Sequence, residues 1–263
     1  MLERPRRVIV NALLTVLKVK RISDSFIRVQ FSCDKRLTID PLWICPHLKL
    51  LFADPSTGTI MFPQLDENNK IVVNDKIRQL VRSYSIRYFD EVTNQLSIDF
   101  AIHSEGLATR WAQEAKVGNQ IGIVSIVGKL NFNNETLVLM GDISAVPTIC
   151  YTLEHLPHNY IAYAFIEVNH QTDIIPLPIH EKVKINWFIR DYNKPNQLVD
   201  KVINDSEIVN HNNLLFWGGM ESSLAQQLRQ ALKDKYVDLP PNAIHVISYW
   251  REGFAEGEFK HRE

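Results

Sequence analysis

The stretch Thr136-Leu137-Val138-Leu139-Met140-Gly141-Asp142-Ile143-Ser144-Ala145-Val146-Pro147 is where the rhythm of this chain changes. A short apolar run stops at a glycine, and a helix pattern follows over residues 147–156. An apolar strand that feeds a turn and then a helix is the opening of a βαβ unit. The pattern recurs downstream. Residues 160–168 and 183–189 are apolar, 197–203 read as helix, and 214–217 are apolar and end at Gly218-Gly219. Residues 222–232 place Leu224, Leu228, Ala231 and Leu232 on one helical face, and 242–248 read as a last strand. Strand alternating with helix predicts an α/β domain with a mostly parallel sheet.

Upstream the texture differs. Residues 13–19 and 26–33 alternate or run β-branched. Residues 48–53 and 59–62 flank Asp54-Pro55-Ser56-Thr57-Gly58, a turn with Pro and Gly in suitable places, and strands follow over 80–88, 95–102 and 120–127. Only 107–115 reads as helix, and the polar stretch 66–70 reads as loop. Dense strands with one helix predict an antiparallel barrel or sandwich. The boundary falls near residues 131–135, giving a β domain over 1–132 and an α/β domain over 133–263.

Composition narrows the function. The chain is 45% hydrophobic and 22% charged with a formal net charge of −1, so no global field favours nucleic acid or an anionic membrane. No run approaches the length of a membrane span, and residues 8–19 are broken by Asn11, Thr15 and Lys18, unlike a signal peptide core. Cys33, Cys45 and Cys150 are odd in number with no C-x-x-C spacing. That pattern argues against a disulfide framework or an iron–sulfur cluster and for free thiols in a reducing cytoplasm.

Two segments carry candidate chemistry in the β half. In Arg82-Ser83-Tyr84-Ser85 a strand would project Arg82 and Tyr84 to one side and Ser83 and Ser85 to the other. A guanidinium suits a phosphate, a ring stacks on a ring, and Ser85 can reach a ring edge. Asp99-Phe100-Ala101-Ile102-His103 then runs through Ser104-Glu105 into Gly106, where Ala108 and Thr109 open a helix with small residues. Such a start lets a pyrophosphate approach backbone N–H groups. Together these residues describe a clamp for a nucleotide diphosphate bearing an aromatic ring, with flavin the leading candidate. In the α/β half, the Gly141–Pro147 turn sits where open sheets bind ligands, although neither G-x-G-x-x-G nor a Walker motif occurs. His155 and His158 straddle Pro157 with no set to complete a metal site.

As a set, these residues resemble the siderophore-interacting protein family, FAD-dependent ferric-siderophore reductases related to ferredoxin–NADP reductases. The resemblance spans nearly the whole chain. It runs through His47-Leu48-Lys49-Leu50-Leu51, the Arg82-x-Tyr84-Ser85-x-Arg87 run, Asp99-Phe100-x-x-His103, and Glu105-Gly106 with Ala108-Thr109-Arg110-Trp111-Ala112. It continues in Gly141-Asp142 with Ser144-Ala145 and Pro147, Glu167-Val168, Trp217 to Glu221, and Tyr249-Trp250-Arg251-x-Gly253. Ser104 and Leu107 stand where the family often has Gly and Pro, and Ile143 where Glu is common.

The resemblance implies an N-terminal antiparallel Greek-key β-barrel that binds FAD and a C-terminal NAD(P)H-binding-like α/β domain. It puts Arg82, Tyr84, Ser85, Asp99, His103, Gly106, Ala108, Thr109 and Trp250 at the cofactor. Lys49, Lys129 and Arg251 gather an anionic ferric siderophore. Gly141, Asp142, Ser144, Gly219 and Glu221 face an electron-donor nucleotide. It implies a cytoplasmic enzyme that passes single electrons from FAD to Fe(III) in the chelate, with no acid–base catalyst. Hard oxygen ligands favour Fe(III), so reduction loosens their hold. The donor stays open between NADPH, NADH and a ferredoxin. Two other readings stand: another flavin reductase or electron-transfer flavoprotein, and a non-catalytic module that binds ferric chelates.

Overall fold

Period-two burial sets the first element. β1 (Arg6–Arg21) buries Ala12, Leu14 and Val16 and leaves Leu13 and Thr15 half-exposed. Its register shifts between Ile9 and Ala12, where Asn11 takes φ 43°, so the asparagine that interrupts the hydrophobic run marks a β-bulge. The computed structural model describes residues 6–65, 67, 71–72, 75–102, 106–128, 130–131 and 136–254. The chain divides into two units, Met1–Asn131 and Phe132–Glu263.

In the first unit β1 is followed by β2 (Phe26–Cys33), β3 (Trp43–Ile44), β4 (His47–Leu51), β5 (Gln64–Leu65), β6 (Ile71–Val72) and α1 (Asp75–Leu80). Next come β7 (Val81–Ser85), β8 (Tyr88–Asp90), β9 (Gln95–Ala101), α2 (Leu107–Glu114), β10 (Gln120–Gly128) and β11 (Leu130–Asn131). The main sheet has seven strands in the order β7-β4-β10-β1-β2-β9-β8, and every pairing is antiparallel. Its two ends are β7 and β8, which are consecutive in sequence. The Ile86 amide donates to the Pro46 carbonyl at 3.4 Å and the next amide, Arg87, donates to Ser97 at 3.0 Å. The chain therefore changes partner within one residue and closes the sheet into a barrel. Closure removes the exposed edges an open sheet would carry.

Three local expectations are corrected here. The run over 80–88 is two strands, split where the chain changes partner. Residues 59–62 make no strand: Ile60 and Phe62 instead pack on Leu51, Ile77 and Val124, and a Cβ on Gly122 would lie 3.0 Å from Phe62. Their side chains fill the place a ladder partner would need. The helix α1 was not foreseen; it opens on Asp75, which pairs with Arg78 at 3.6 Å.

The second unit holds β12 (Thr136–Gly141), α3 (Val146–Glu154), β13 (Ala162–Val168), β14 (Val183–Ile189), α4 (Gln197–Ile203), β15 (Leu214–Glu221), α5 (Ser222–Lys235) and β16 (Ile244–Trp250). The five strands run parallel in the order β14-β13-β12-β15-β16. Strand order reverses between β12 and β15, which makes their carboxyl ends the switch point where such sheets bind ligands. β15 runs on through Gly218-Gly219, which the sequence reading took as its end. Gly218 pairs with Val246 and Gly219 with Ile247. A core of Val138, Met140, Phe165, Phe216, Leu224, Leu228 and Val246 holds α5 to the sheet. Among the described residues, no helix is long and apolar enough to cross a membrane.

Candidate functional site

In the first unit the site grows from the β4–β7 pair. Register sets Leu48 opposite Tyr84 and Leu50 opposite Arg82, while Lys49 faces Ser83 and His47 faces Ser85. Residues directly opposite share a face. Tyr84 and Arg82 thus stand on the side of the buried Leu48 and Leu50, and Ser83, Ser85, His47 and Lys49 on the other. Lys49 Nζ donates to Ser83 Oγ. This divides the expected flavin residues: Tyr84 and Arg82 share one face, and Ser85 shares the other with Lys49, the expected siderophore contact.

Tyr84 lies 4.6 Å from the Phe100 ring, and Phe100 lies 5.6 Å from Trp111 on α2. Trp111 also stacks on Phe31 at 6.0 Å and meets Phe52 edge-on at 5.9 Å. This aromatic stack ties α2 to Tyr84. Arg82 Nη1 donates to the carbonyls of Gln79 at 2.8 Å and Val81 at 2.9 Å, which anchors the guanidinium at the end of α1.

At the start of α2, Gly106 occupies the N-cap with φ 143°, a region open to glycine alone, and offers no side chain to cap the helix. The first turn has no acidic residue, and Ala108 and Thr109 are small and buried. Thr109 Oγ1 donates to Ala101 at 3.5 Å and ties the turn to β9. A helix start with small residues and no acid in its first turn suits a pyrophosphate. The described residues fit FAD: Tyr84 would be available to a ring and the start of α2 to a pyrophosphate. His103 and Lys129, expected at cofactor and substrate, lie outside the described residues.

Asp99, also expected at the cofactor, is buried on the face of β9 opposite Ile98 and Phe100. Its carboxylate takes a two-pronged bond from Arg28, Nε to Oδ1 at 2.6 Å and Nη2 to Oδ2 at 2.7 Å. The fully buried Arg87 stands 3.9 Å away. Both guanidinium groups lie over the Tyr88 ring, at 4.8 and 3.8 Å. This group sits where the barrel closes. It braces the β7–β8 junction and so fixes the strand that carries Tyr84 and Ser85. Arg28 was not foreseen, because its partner is 71 residues away and nothing local marks it.

In the second unit all five expected donor residues meet at the switch point. Gly141 is opposite Gly219; a Cβ on Gly141 would lie 2.6 Å from Ala145 Cβ and 2.9 Å from the Gly219 carbonyl. Asp142 Oδ1 accepts from the Ser144 amide at 2.9 Å and from Ser144 Oγ at 2.5 Å. Oδ2 accepts from the Glu221 amide and from Trp250 Nε1, both at 2.8 Å. One carboxylate thus joins the ends of β12, β15 and β16. Burial raises its pKa above the ordinary aspartate value, and the donated bonds oppose that rise. Trp250, expected at the cofactor, has its indole N–H committed to this clasp.

Glu221 caps α5, accepting from the Ser223 amide at 2.5 Å, from Ser223 Oγ, and from the Leu224 amide at 3.3 Å. Burial pushes its carboxyl up, but these bonds outweigh it and hold the pKa below the ordinary glutamate value. The turn after β12 and the start of α5 are therefore both capped by carboxylates from within the chain. Arg251 forms a bridge with Phe254 and lies 4.3 Å over its ring.

An antiparallel barrel followed by a doubly wound parallel sheet has the fold of a ferredoxin reductase. Residues 15–129 match the siderophore-interacting FAD-binding domain and residues 134–253 match the siderophore-interacting protein domain. The chain belongs to the siderophore-interacting protein family. It is 27% identical over 256 residues to the ferric vibriobactin reductase of Vibrio cholerae, covering 95% of this chain and 93% of that one. It is 27% identical over 254 residues to the ferric acinetobactin reductase of Acinetobacter baumannii, covering 93% of this chain and 80% of that one. The structure of a siderophore utilization protein from T. fusca superposes with a TM-score of 0.80 at 25% identity, covering 97% of this chain and 99% of that one.

Proposed function

We propose that the protein is an FAD-dependent reductase of ferric siderophores that turns Fe(III) into Fe(II) for intracellular release. The observation that carries this reading is the start of α2, with small residues and no acid in its first turn, tied through Trp111 and Phe100 to Tyr84. Relatives that this chain covers over 93% and 80% of their lengths are named as ferric-siderophore reductases, which supports the substrate class.

Within this reading Gly106, Ala108 and Thr109 seat the pyrophosphate, Tyr84 covers one face of the ring system, and Ser85 approaches its edge. FAD supplies the conversion of a two-electron input into two one-electron outputs, so one hydride equivalent serves two ferric centres. Lys49 offers a positive charge on the Ser85 side of the barrel wall. Lys129 and Arg251 complete the attraction of an anionic chelate through a local field that weakens with salt. Outer-sphere transfer moves no proton on the chelate, so the site needs no catalytic base. The donor in this reading is NADPH, NADH or a ferredoxin. Anaerobic mixing of the flavin-loaded protein with each separates them by the bleaching of flavin absorbance. Cys33, Cys45 and Cys150 are outside any disulfide, in keeping with a reducing cytoplasm.

The test is direct. Flavin-loaded protein, reduced anaerobically, is mixed with a panel of ferric siderophores while Fe(II) is trapped by a chromogenic chelator. The reading expects Fe(II) at two per flavin. A protein that takes up no FAD, or a loaded protein that yields no Fe(II) from any chelate, would overturn it.

A further inference from the structure

His158 and His180 meet at the amino edge of the second sheet, the edge away from the Gly141 turn. Each sits in the turn that feeds a strand. The Tyr160 amide donates to the Pro157 carbonyl at 3.0 Å, which places His158 in a tight turn ahead of β13. The Val183 amide donates to the His180 carbonyl at 3.1 Å, which places His180 at the head of the turn into β14. Parallel pairing sets Ala162 opposite Val183, and the Ala162 amide donates to the Lys182 carbonyl at 3.2 Å. The backbone thus locks the two turns side by side. The rings they carry have centroids 5.1 Å apart and planes tilted by 53°.

The His180 ring is not spent on the protein. Both of its nitrogens are buried and, among the described residues, have no hydrogen-bond partner. A buried imidazole ordinarily finds a partner for at least one of them. His158 is exposed, so solvent reaches the pair from its side. His155, nearer to His158 in sequence, is engaged elsewhere: its ring stacks on Tyr151 at 4.1 Å, and Nδ1 lies 2.8 Å from the Tyr151 carbonyl. The partner of His158 comes from the entry to a different strand.

Ring spacing decides what the pair can hold. A zinc-like ion lies about 2.0–2.1 Å from an imidazole nitrogen, which puts it about 3.2 Å from the ring centroid. Centroids 5.1 Å apart then subtend about 106° at the ion, close to the tetrahedral angle. The charges of Glu181 and Lys182 act on His180 with opposite signs. Among the described residues no three metal-ligating side chains come together, so water fills the remaining positions.

We propose that His158 and His180 bind one divalent transition-metal ion through neutral imidazoles. Imidazole selects ions such as Zn(II), Ni(II) and Cu(II) over Mg(II) and Ca(II). The site lies outside the reductase reading and stands without it. A bound ion pins the turns into β13 and β14 and stabilises the fold by mass action.

Zn(II) is the probe. The untagged full chain, stripped of metal on a chelating resin, is titrated with Zn(II) in a calorimeter at neutral pH. One Zn(II) should bind per chain, Mg(II) should not bind, and acidification should weaken the binding as protons compete for the imidazoles. His158→Ala and His180→Ala should each weaken it at least about ten-fold, the lower end of what even an outer partner of a metal site costs. His155→Ala should leave it unchanged. Zn(II) should raise the melting temperature of the unaltered protein and leave that of His158→Ala where it was. The replaced His158 side chain is exposed, so this variant separates lost binding from lost folding. No binding of Zn(II) by the unaltered protein, or full-strength binding by His158→Ala and by the double variant with His180→Ala, would each overturn the proposal. The titration needs no flavin and no iron chelate, so its result is independent of the reductase reading.

Discussion

Asp99 shows what one carboxylate does at the closure of the barrel. It balances Arg28 and stands near the fully buried Arg87. Asp99→Asn would keep the shape and remove the charge that balances Arg28. Loss of one partner from a buried pair costs roughly 3–5 kcal/mol. Urea unfolding should show a loss of that order, and a loss well below 1 kcal/mol would contradict the bracing role. Glu221 makes a pH prediction. Its folded pKa is depressed, so the stability it contributes is complete above the unfolded glutamate value and is lost as pH falls through the folded value. Glu167, raised by burial, acts in the opposite sense: its charged form disfavours the fold, so stability is gained as pH falls through its raised value towards the unfolded one. Stability measured against pH should lose part of its acid limb in Glu221→Gln and part of its mildly acid gain in Glu167→Gln. Unchanged profiles would sink both assignments. The alternation of Arg82, Ser83, Tyr84 and Ser85 was legible from their spacing alone. The ion pair that buries Asp99 was not, because it depends on an arginine far away in the chain.

At the scale of elements, the start of α2 combines two properties that a substitution can set against each other. Leu107→Asp places a carboxylate in the first turn, where it should stabilise the helix by about 0.3–1 kcal/mol. The same charge should weaken FAD binding by about ten-fold, because it competes for the amides that seat the pyrophosphate. A rise in melting temperature with unaltered flavin affinity would show that the pyrophosphate lies elsewhere. Gly141→Ala is the counterpart in the second unit, where the added Cβ would meet Ala145 and the Gly219 carbonyl. Overpacking of this kind costs about 1–3 kcal/mol, readable as a shift in the unfolding midpoint. The strands and helices of the parallel sheet were legible because each carries its own apolar period. β15 was cut short at Gly218-Gly219 because glycine locally signals a turn, whereas here it makes room at the switch point for Trp217 and Tyr249. Residues 59–62 have strand composition and no strand partner, since their side chains are drawn onto Gly122 and the Leu51 cluster.

At the scale of the whole molecule, each unit contributes a distinct capability. The first offers an anion seat beside an aromatic stack. The second offers a doubly wound sheet whose expected phosphate seats are filled by its own acids and whose amino edge carries the His158–His180 pair. The division into a β half and an α/β half followed from the change of rhythm at residue 136. The joining of β12, β15 and β16 through Asp142 did not, because its bonds to the Glu221 amide and Trp250 span 79 and 108 residues of sequence. The claim that binds these parts together is flavin-mediated reduction of chelated iron. Its most direct measurement is stoichiometric. The protein is loaded with FAD, reduced without oxygen, and mixed with a ferric siderophore while flavin reoxidation and trapped Fe(II) are followed together. Two Fe(II) for each flavin reoxidised is the predicted result; flavin that stays reduced while the chelate keeps its Fe(III) would contradict it.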